Sequence, residues 1–223
     1  MKSSERRKRK NDLPATRRRG APRPMTFARL ERACYHYLGR FASTEARLAE
    51  VLERRIRRAR PAGERAAPLS EEESGWIAEL IVRARRFGFV DDRAFAEARA
   101  RNLLTAGHAP RRIVWKLREA GICEELAEET VAALAHVHGG ERAGTLAAAI
   151  ALARRRRIGP FRPAGTTLDH DRRRREIAIF ARRGIDYGIA RAVVEAEDET
   201  ALEKLGEEIA DLPVPDPDGE PPI

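Results

Sequence analysis

The sequence predicts an all-α protein built from stacked helical repeats, and three observations favour that fold class. First, an aliphatic residue, a second one ten positions later and a third four positions after that recur at Leu38/Leu48/Leu52, Leu103/Ile113/Leu117 and Ile179/Ile189/Val193. The step of four places two residues on one helical face, and a break within each step of ten predicts a tight turn between two helices. Second, Ala, Leu, Arg and Glu dominate while aromatic residues make up 5% of the chain. Third, no segment alternates as a strand does.

This repeat also bears on function. Repeated helix pairs stack because one pair alone cannot cover its apolar face, and such architectures bind partners more often than they catalyse reactions.

The two ends of the chain carry opposite charge. Residues 1–25 hold ten Lys/Arg against two acids, together with four Gly or Pro residues, and predict a disordered basic arm. Residues 195–223 hold one Lys against eleven acids, and we assign 198–223 as an acidic, Pro-rich tail whose run beyond Leu212 is predicted to be disordered. The remaining body, residues 26–194, has a net charge of +11. A basic body between such ends indicates a polyanionic partner and a segment that repels or competes with it.

The first repeat is predicted over residues 26–90. A helix from about residue 27 to 40 is followed by Ser43, which we predict as the N-cap of the second helix. The stripe of that helix is Leu48, Leu52, Ile56 and Ala59. After a loop over 60–69, Ser70 and Glu73 form a capping-box sequence. The stripe of the third helix is Trp76, Leu80, Ala84 and Phe87.

The second and third repeats are predicted over residues 91–138 and 139–197. In the second, Asp91 or Asp92 caps a helix with Phe95, Ala98 or Arg99, and Leu103 on its core face. Pro110 suits a first helical turn, and the next core faces are Ile113/Leu117/Ala120 and Leu126/Val131/Leu134. In the third, a helix after Gly140 carries Leu146, Ile150 and Ala153. Helices over 172–183 and 186–197 follow a loop over 159–168.

The sequence offers little support for catalysis. His136 and His138 would point roughly 200° apart on a helix and cannot grip one metal ion. No Gly-rich phosphate loop is present, and Asp91 with Asp92 is better explained as a helix cap than as a catalytic pair. Cys34 and Cys123 match no metal spacing and fit a reducing cytoplasm. No apolar run reaches the ~18 residues of a membrane span. We therefore expect no enzyme, no cofactor, no metal site and no membrane association.

Three basic groups in the body are candidate contacts for a polyanion. The first, Arg154, Arg155, Arg156 and Arg157, ends a helix, where cations also suit the helix dipole. The second, Arg172, Arg173, Arg174 and Arg175, begins one, where the dipole disfavours cations unless an anion compensates. The third, Arg182 and Arg183, precedes a turn. A merely solvated surface remains the alternative for each group.

A fourth candidate lies on the predicted helix after Pro110. If Ile113, Leu117 and Ala120 are buried, Trp115 points about 160° away from them. Arg111 and Arg118 lie beside Trp115, with Arg112 and Lys116 on the side between. An exposed Trp next to arginines could stack on bases or anchor a protein interface. The alternative is that another helix of the stack covers it.

These residues resemble the RecX family of regulatory proteins, which modulate the RecA recombinase. The first repeat contributes Ala33, Tyr37, Leu38, Arg40, Ser43, Glu45 and Leu48. The most recognisable signature is Val90-Asp91-Asp92 followed by Phe95-Ala96. Further matches are Gly107, Pro110, Arg112-Ile113, Leu117, Gly121-Ile122, Phe180, Arg182-Arg183-Gly184, Ile189 and Val193. The long loop over 60–69, both charged ends, Trp115 and Ile185 depart from the family pattern.

The resemblance implies tandem three-helix units in an elongated, curved body that lies in the groove of a RecA–single-stranded-DNA filament. It implies inhibition of ATP hydrolysis, strand exchange and coprotease activity, and a role in DNA repair and the SOS response. The expected partners are the recombinase filament and single-stranded DNA, with duplex DNA as a further candidate, for a monomeric cytoplasmic protein. The alternatives are a helix-turn-helix transcriptional regulator, which would bind a duplex site without recombinase, and a protein-interaction adaptor without nucleic-acid affinity.

Overall fold

The computed structural model describes residues 24–210, and this range is all-α, as predicted, with no strand. The rest of the basic arm and of the Pro-rich tail lies outside the described residues. Ten α-helices follow one another: α1 Phe27–Leu38, α2 Glu45–Ala59, α3 Glu71–Arg86, α4 Asp92–Thr105, α5 Pro110–Glu119, α6 Glu124–Val137, α7 Glu141–Arg156, α8 His170–Ala181, α9 Tyr187–Glu195 and α10 Glu199–Ala210. Two short 3-10 helices, Ala62–Glu64 and Gly159–Phe161, lie in the loops after α2 and α7.

Most helix starts are where local sequence predicts them. The capping box of Ser70 and Glu73 opens α3, and Pro110 occupies the first turn of α5. Asp91 caps α4, its carboxylate accepting the Ala94 N–H at 2.9 Å. The prediction of Ser43 as the cap of α2 is wrong by one residue. Thr44 accepts the Arg47 N–H at 3.1 Å, while Ser43 is buried just before the helix.

Two predicted core faces also need correction. Phe87 is 63% exposed, because α3 ends before it and leaves the ring outside the stripe. On α4 the buried face is Ala96, Ala100, Leu103 and Leu104, not the face of Phe95 and Ala98. α4 packs against α5, α6 and α7 together, so the small alanine side chains, which allow close approach, face inward.

The buried side chains form three cores, which define three units. The N-terminal unit (α1–α3) has a core drawn from residues 25–90 alone. The core of the middle unit (α4–α6) includes Ala148 from α7. The core of the C-terminal unit (α7–α10) includes Ala109 from the turn before α5. Each recurring triad lies in one core region, with Leu38 and Ile179 partly buried and the other seven residues buried.

Helix α10 was not expected, because residues 198–223 are assigned to the acidic tail by charge and proline content. In the structure Asp198 accepts the Ala201 N–H at 2.8 Å at the start of this helix. Leu202 is buried, and Leu205 and Ile209 pack partly buried against the C-terminal core. Their helical spacing of three and four residues was present in the sequence. The tail assignment is therefore wrong for residues 199–210.

The N-terminal and middle units meet at a polar contact around the start of α2, which we call the polar junction. The Thr44 hydroxyl donates to the Ala120 carbonyl at 2.7 Å, and the Glu45 N–H donates to the Asp92 carboxylate at 2.9 Å. Gly121 has a φ of +92°, and a Cβ there would lie 2.9 Å from both Ala46 Cβ and Thr44 Oγ1. Asp91 thus caps its own helix, while Asp92 ties two units together.

Candidate nucleic-acid interface

Two turns that are distant in sequence pack together where the middle unit meets the C-terminal unit. The Ala109 N–H, before α5, donates to the Arg183 carbonyl, after α8, at 3.0 Å. Gly184 has a φ of +82°, and a Cβ there would lie 3.1 Å from Arg112 Cβ. This contact brings the basic residues of α5 next to the Arg182-Arg183 pair.

The end of α7 reaches the same place. Gly107 has a φ of +80°, and a Cβ there would come within 2.6 Å of Leu152 Cβ, so glycine is required for this approach. One turn further along α7, Arg155 Nη2 donates to the Ala106 carbonyl at 2.7 Å. Three of the basic groups picked out in the sequence therefore converge on the turn between α4 and α5.

We define the basic cluster as the six cationic or titratable side chains gathered there: His108, Arg112, Lys116, Arg155, Arg156 and Arg183. Arg183 Nη1 lies 3.3 Å from the Ala106 carbonyl and 2.6 Å from His108 Nε2. The Arg112 guanidinium stacks over the Trp115 ring, 3.9 Å from its centroid, and Lys116 Nζ lies 5.7 Å from the same centroid.

The basic cluster carries uncompensated positive charge. Burial and the neighbouring cations Arg183, Lys116, Arg112 and Arg155 lower the pKa of His108 to about 4. Burial, with Arg155 and Arg156 nearby, also lowers the pKa of Arg183. Among residues 24–210, no carboxylate forms an ion pair with any member of the cluster. An anion held here would relieve that repulsion.

Trp115 is 43% exposed at the edge of the basic cluster. The alternative in which a neighbouring helix covers it is therefore wrong. The ring already carries Arg112 on one face, so its geometry suits continued stacking with a base or a flat side chain.

Other predicted contact residues of α5 and α7 are engaged by acids in the structure. Arg111 pairs with Glu141 at 2.9 Å and Arg118 with Glu124 at 2.6 Å. Arg154 pairs with Glu199 of α10 at 2.8 Å and lies over the Phe161 ring. By contrast, Arg157 and Arg182 are exposed beside the basic cluster and have no acid partner among the described residues.

The run Arg172, Arg173, Arg174 and Arg175 does not join the basic cluster. It lies in the first half of α8, about 10 to 15 Å along the helix from Arg182 at ~1.5 Å per residue. Arg173 pairs with Glu195 at 3.2 Å. The helix begins at His170, with Asp169 as its cap and Asp171 in its first turn. These acids already offset the dipole, so the argument that the arginines need an external anion loses its basis.

His108 is the member of the basic cluster that the sequence did not single out. No local pattern marks it, because its surroundings come from α5, α7 and the turn after α8. In the described range no three His, Cys, Asp or Glu side chains lie close enough to hold a metal ion. None of the described helices is both long and apolar enough to cross a membrane.

Comparisons with known proteins agree with the arrangement of the helices. The family description "RecX, second three-helix domain" matches residues 91–131, which span α4, α5 and most of α6. Regulatory protein RecX of Myxococcus xanthus (strain DK1622) is 34% identical over 177 residues, covering 78% of this chain and 89% of that protein. Regulatory protein RecX of Agrobacterium fabrum (strain C58 / ATCC 33970) is 29% identical over 164 residues, covering 74% and 80% respectively. No solved structure matches the chain significantly.

Proposed function

This chain belongs to the RecX family of regulatory proteins, and from that premise we propose that it is a negative regulator of homologous recombination. It binds the filament that a RecA-type recombinase forms on single-stranded DNA. Binding inhibits the filament's ATP hydrolysis and strand exchange.

The observation that carries the proposal beyond the family name is the basic cluster. It lies on the part of the chain that matches the second three-helix domain of the family, joined by residues of the C-terminal unit. Its cations have no acid partner among the described residues, so they are available to DNA phosphates. Contacts of this kind release counterions and carry no base specificity, as suits a partner that coats DNA of any sequence.

Trp115 supplies the second kind of contact. Arg112 holds one face of the ring, and the exposed remainder meets an unstacked base or a side chain of the recombinase. Aromatic and arginine side chains are enriched both in single-strand grooves and at the centres of protein interfaces.

The test follows ATP hydrolysis by a RecA-type recombinase on single-stranded DNA as this protein is added. We expect hydrolysis to fall to a small fraction of its starting rate at amounts no greater than one protein per recombinase subunit. Unchanged hydrolysis at that ratio would contradict the proposal.

A helix-turn-helix regulator of transcription is the second candidate. It has one observation in its favour, which is that Arg111, Trp115 and Arg118 share the exposed side of α5. However, Arg111 and Arg118 are held by Glu141 and Glu124. This candidate predicts tight binding to one duplex sequence without recombinase, and a binding screen against random duplexes separates it from the first.

A further inference from the structure

The end of α4 carries a concentration of hydrogen-bond donors around one acceptor. The carbonyl of Ala106 accepts one hydrogen bond from Arg155 at 2.7 Å and another from Arg183 at 3.3 Å. A guanidinium has five N–H donors, so a single carbonyl uses only a small part of what these two side chains offer. The described residues supply no carboxylate for the remaining donors.

His108 lies against the same two arginines in a defined protonation state. Since a guanidinium only donates, His108 Nε2 accepts from Arg183 at 2.6 Å, and the neutral ring carries its proton on Nδ1. That Nδ1 is buried and has no hydrogen-bond partner among the described residues. A buried donor left without a partner costs free energy, and a second proton on the ring would have to go to Nε2, in place of the hydrogen bond from Arg183.

We propose that Arg155, Arg183 and His108 form a binding subsite for one phosphate of the nucleic-acid backbone, and that His108 takes up a proton when the phosphate binds. The subsite deepens the proposed function, on which it rests for the choice of nucleic acid as the ligand.

The charges around His108 explain why proton uptake by this side chain is coupled to phosphate binding. Arg112 and Lys116 face it from α5, Arg155 from α7 and Arg183 from the turn after α8. With these cations alone, a protonated ring would break its bond with Arg183 and add one more positive charge. A phosphate oxygen among them reverses the balance, because it accepts hydrogen bonds from both arginines and from the imidazolium.

The expected signature is tighter binding at lower pH. In the free protein the pKa of His108 is about 4, so the ring is neutral at pH 7.5 and at pH 5.5. If bound phosphate restores the pKa to the ordinary value near 6.5, linkage predicts roughly tenfold tighter binding at pH 5.5 than at pH 7.5. A DNA phosphodiester does not titrate in this range, so the proton must enter the protein.

The experiment measures binding of a fluorescent oligothymidine to the full-length protein, without recombinase, at the two pH values. His108→Gln keeps a hydrogen-bonding side chain but cannot charge, and we expect it to lose most of the pH dependence. His138→Gln removes an exposed histidine just after α6 and serves as the matched control, which should bind like the unsubstituted protein. Equal pH dependence in His108→Gln and the unsubstituted protein would overturn the proposal.

A second variant separates phosphate contact from a purely structural role. Arg155→Gln should reduce the slope of log affinity against log salt by about 0.7, the value for one single-strand phosphate contact. A slope that does not change, together with a lower melting temperature, would show that Arg155 only caps α4 and would contradict the subsite.

These readouts stay distinct from the test of the proposed function. Loss of the predicted pH linkage with intact inhibition of ATP hydrolysis would overturn the subsite alone. Proton-linked oligonucleotide binding without inhibition would overturn the recombinase proposal alone.

Discussion

The middle unit is joined to its two neighbours in different ways. Toward the N-terminal unit it offers the polar junction, where hydrogen bonds from Thr44 and Glu45 meet the Ala120 carbonyl and Asp92. Toward the C-terminal unit, α7 packs against α4, α5 and α6, and buried Ala109 and Ala148 each enter the neighbouring core. We call this second contact the apolar junction.

The difference between the junctions accounts for where the basic cluster lies. Gathering like charges is unfavourable, so other interactions in the fold must stabilise the arrangement. At the apolar junction, Leu152 and Gly107 bring the end of α7 and the turn before α5 into direct contact beneath the cations. The hydrophobic contribution of this packing offsets the repulsion above it. Among the described residues, the core of the N-terminal unit receives no side chain from the middle unit, and no comparable set of cations is gathered at the polar junction.

The largest effect should come from removing packing at the apolar junction. Leu152→Ala deletes a fully buried side chain, and we expect a loss of about 2–5 kcal/mol in the free energy of unfolding. Urea unfolding followed by circular dichroism measures it. Leu205→Ala on α10 removes the same atoms from a partly buried position and should cost clearly less. A loss below about 1 kcal/mol for Leu152→Ala would show that the junction does not depend on this packing.

A smaller effect is expected at the polar junction. Asp92→Ala leaves the Glu45 N–H without its acceptor, and we expect a cost of about 1 kcal/mol in the same assay. Asp92→Asn is the matched control because its amide oxygen still accepts. Burial raises the pKa of Asp92, which means that the charged carboxylate is held in the folded protein at a cost in free energy that a neutral amide does not carry. The asparagine variant should therefore be at least as stable as the unsubstituted protein, and equal losses in both variants would contradict this role of Asp92.

The features predicted best from the sequence are those that depend on residues close to one another along the chain. The start of α3 at Ser70 and Glu73 and the capping of α4 by one of Asp91 and Asp92 were predicted, because both follow from hydrogen bonds within one helical turn. The inward face of α4 was wrong because three helices, distant in sequence, decide which of its sides is covered. Helix α10 was missed because acid content obscured an apolar spacing that was present.

The sequence predicts individual residues of the candidate site but not how they come together. Runs of arginine are visible in any reading of the chain, but nothing local shows that Arg155 and Arg183 share one carbonyl while Arg172–Arg175 lie elsewhere. Likewise, His108 becomes informative only when cations from three other elements surround it. Tertiary packing selects which of many basic residues form an uncompensated cluster.

The most direct test of the account compares two variants that each lose four positive charges, in the ATP-hydrolysis assay with recombinase and single-stranded DNA. One neutralises exposed or part-exposed cations in or beside the basic cluster: Lys116→Gln, Arg156→Gln, Arg157→Gln and Arg182→Gln. The other neutralises four cations of the N-terminal unit and the turn after α1: Arg40→Gln, Arg54→Gln, Arg58→Gln and Arg86→Gln. We expect the second variant to inhibit like the unsubstituted protein, and the first to require at least roughly tenfold more protein for the same inhibition. Equal inhibition by both variants would contradict the claim that the basic cluster is the contact with the filament.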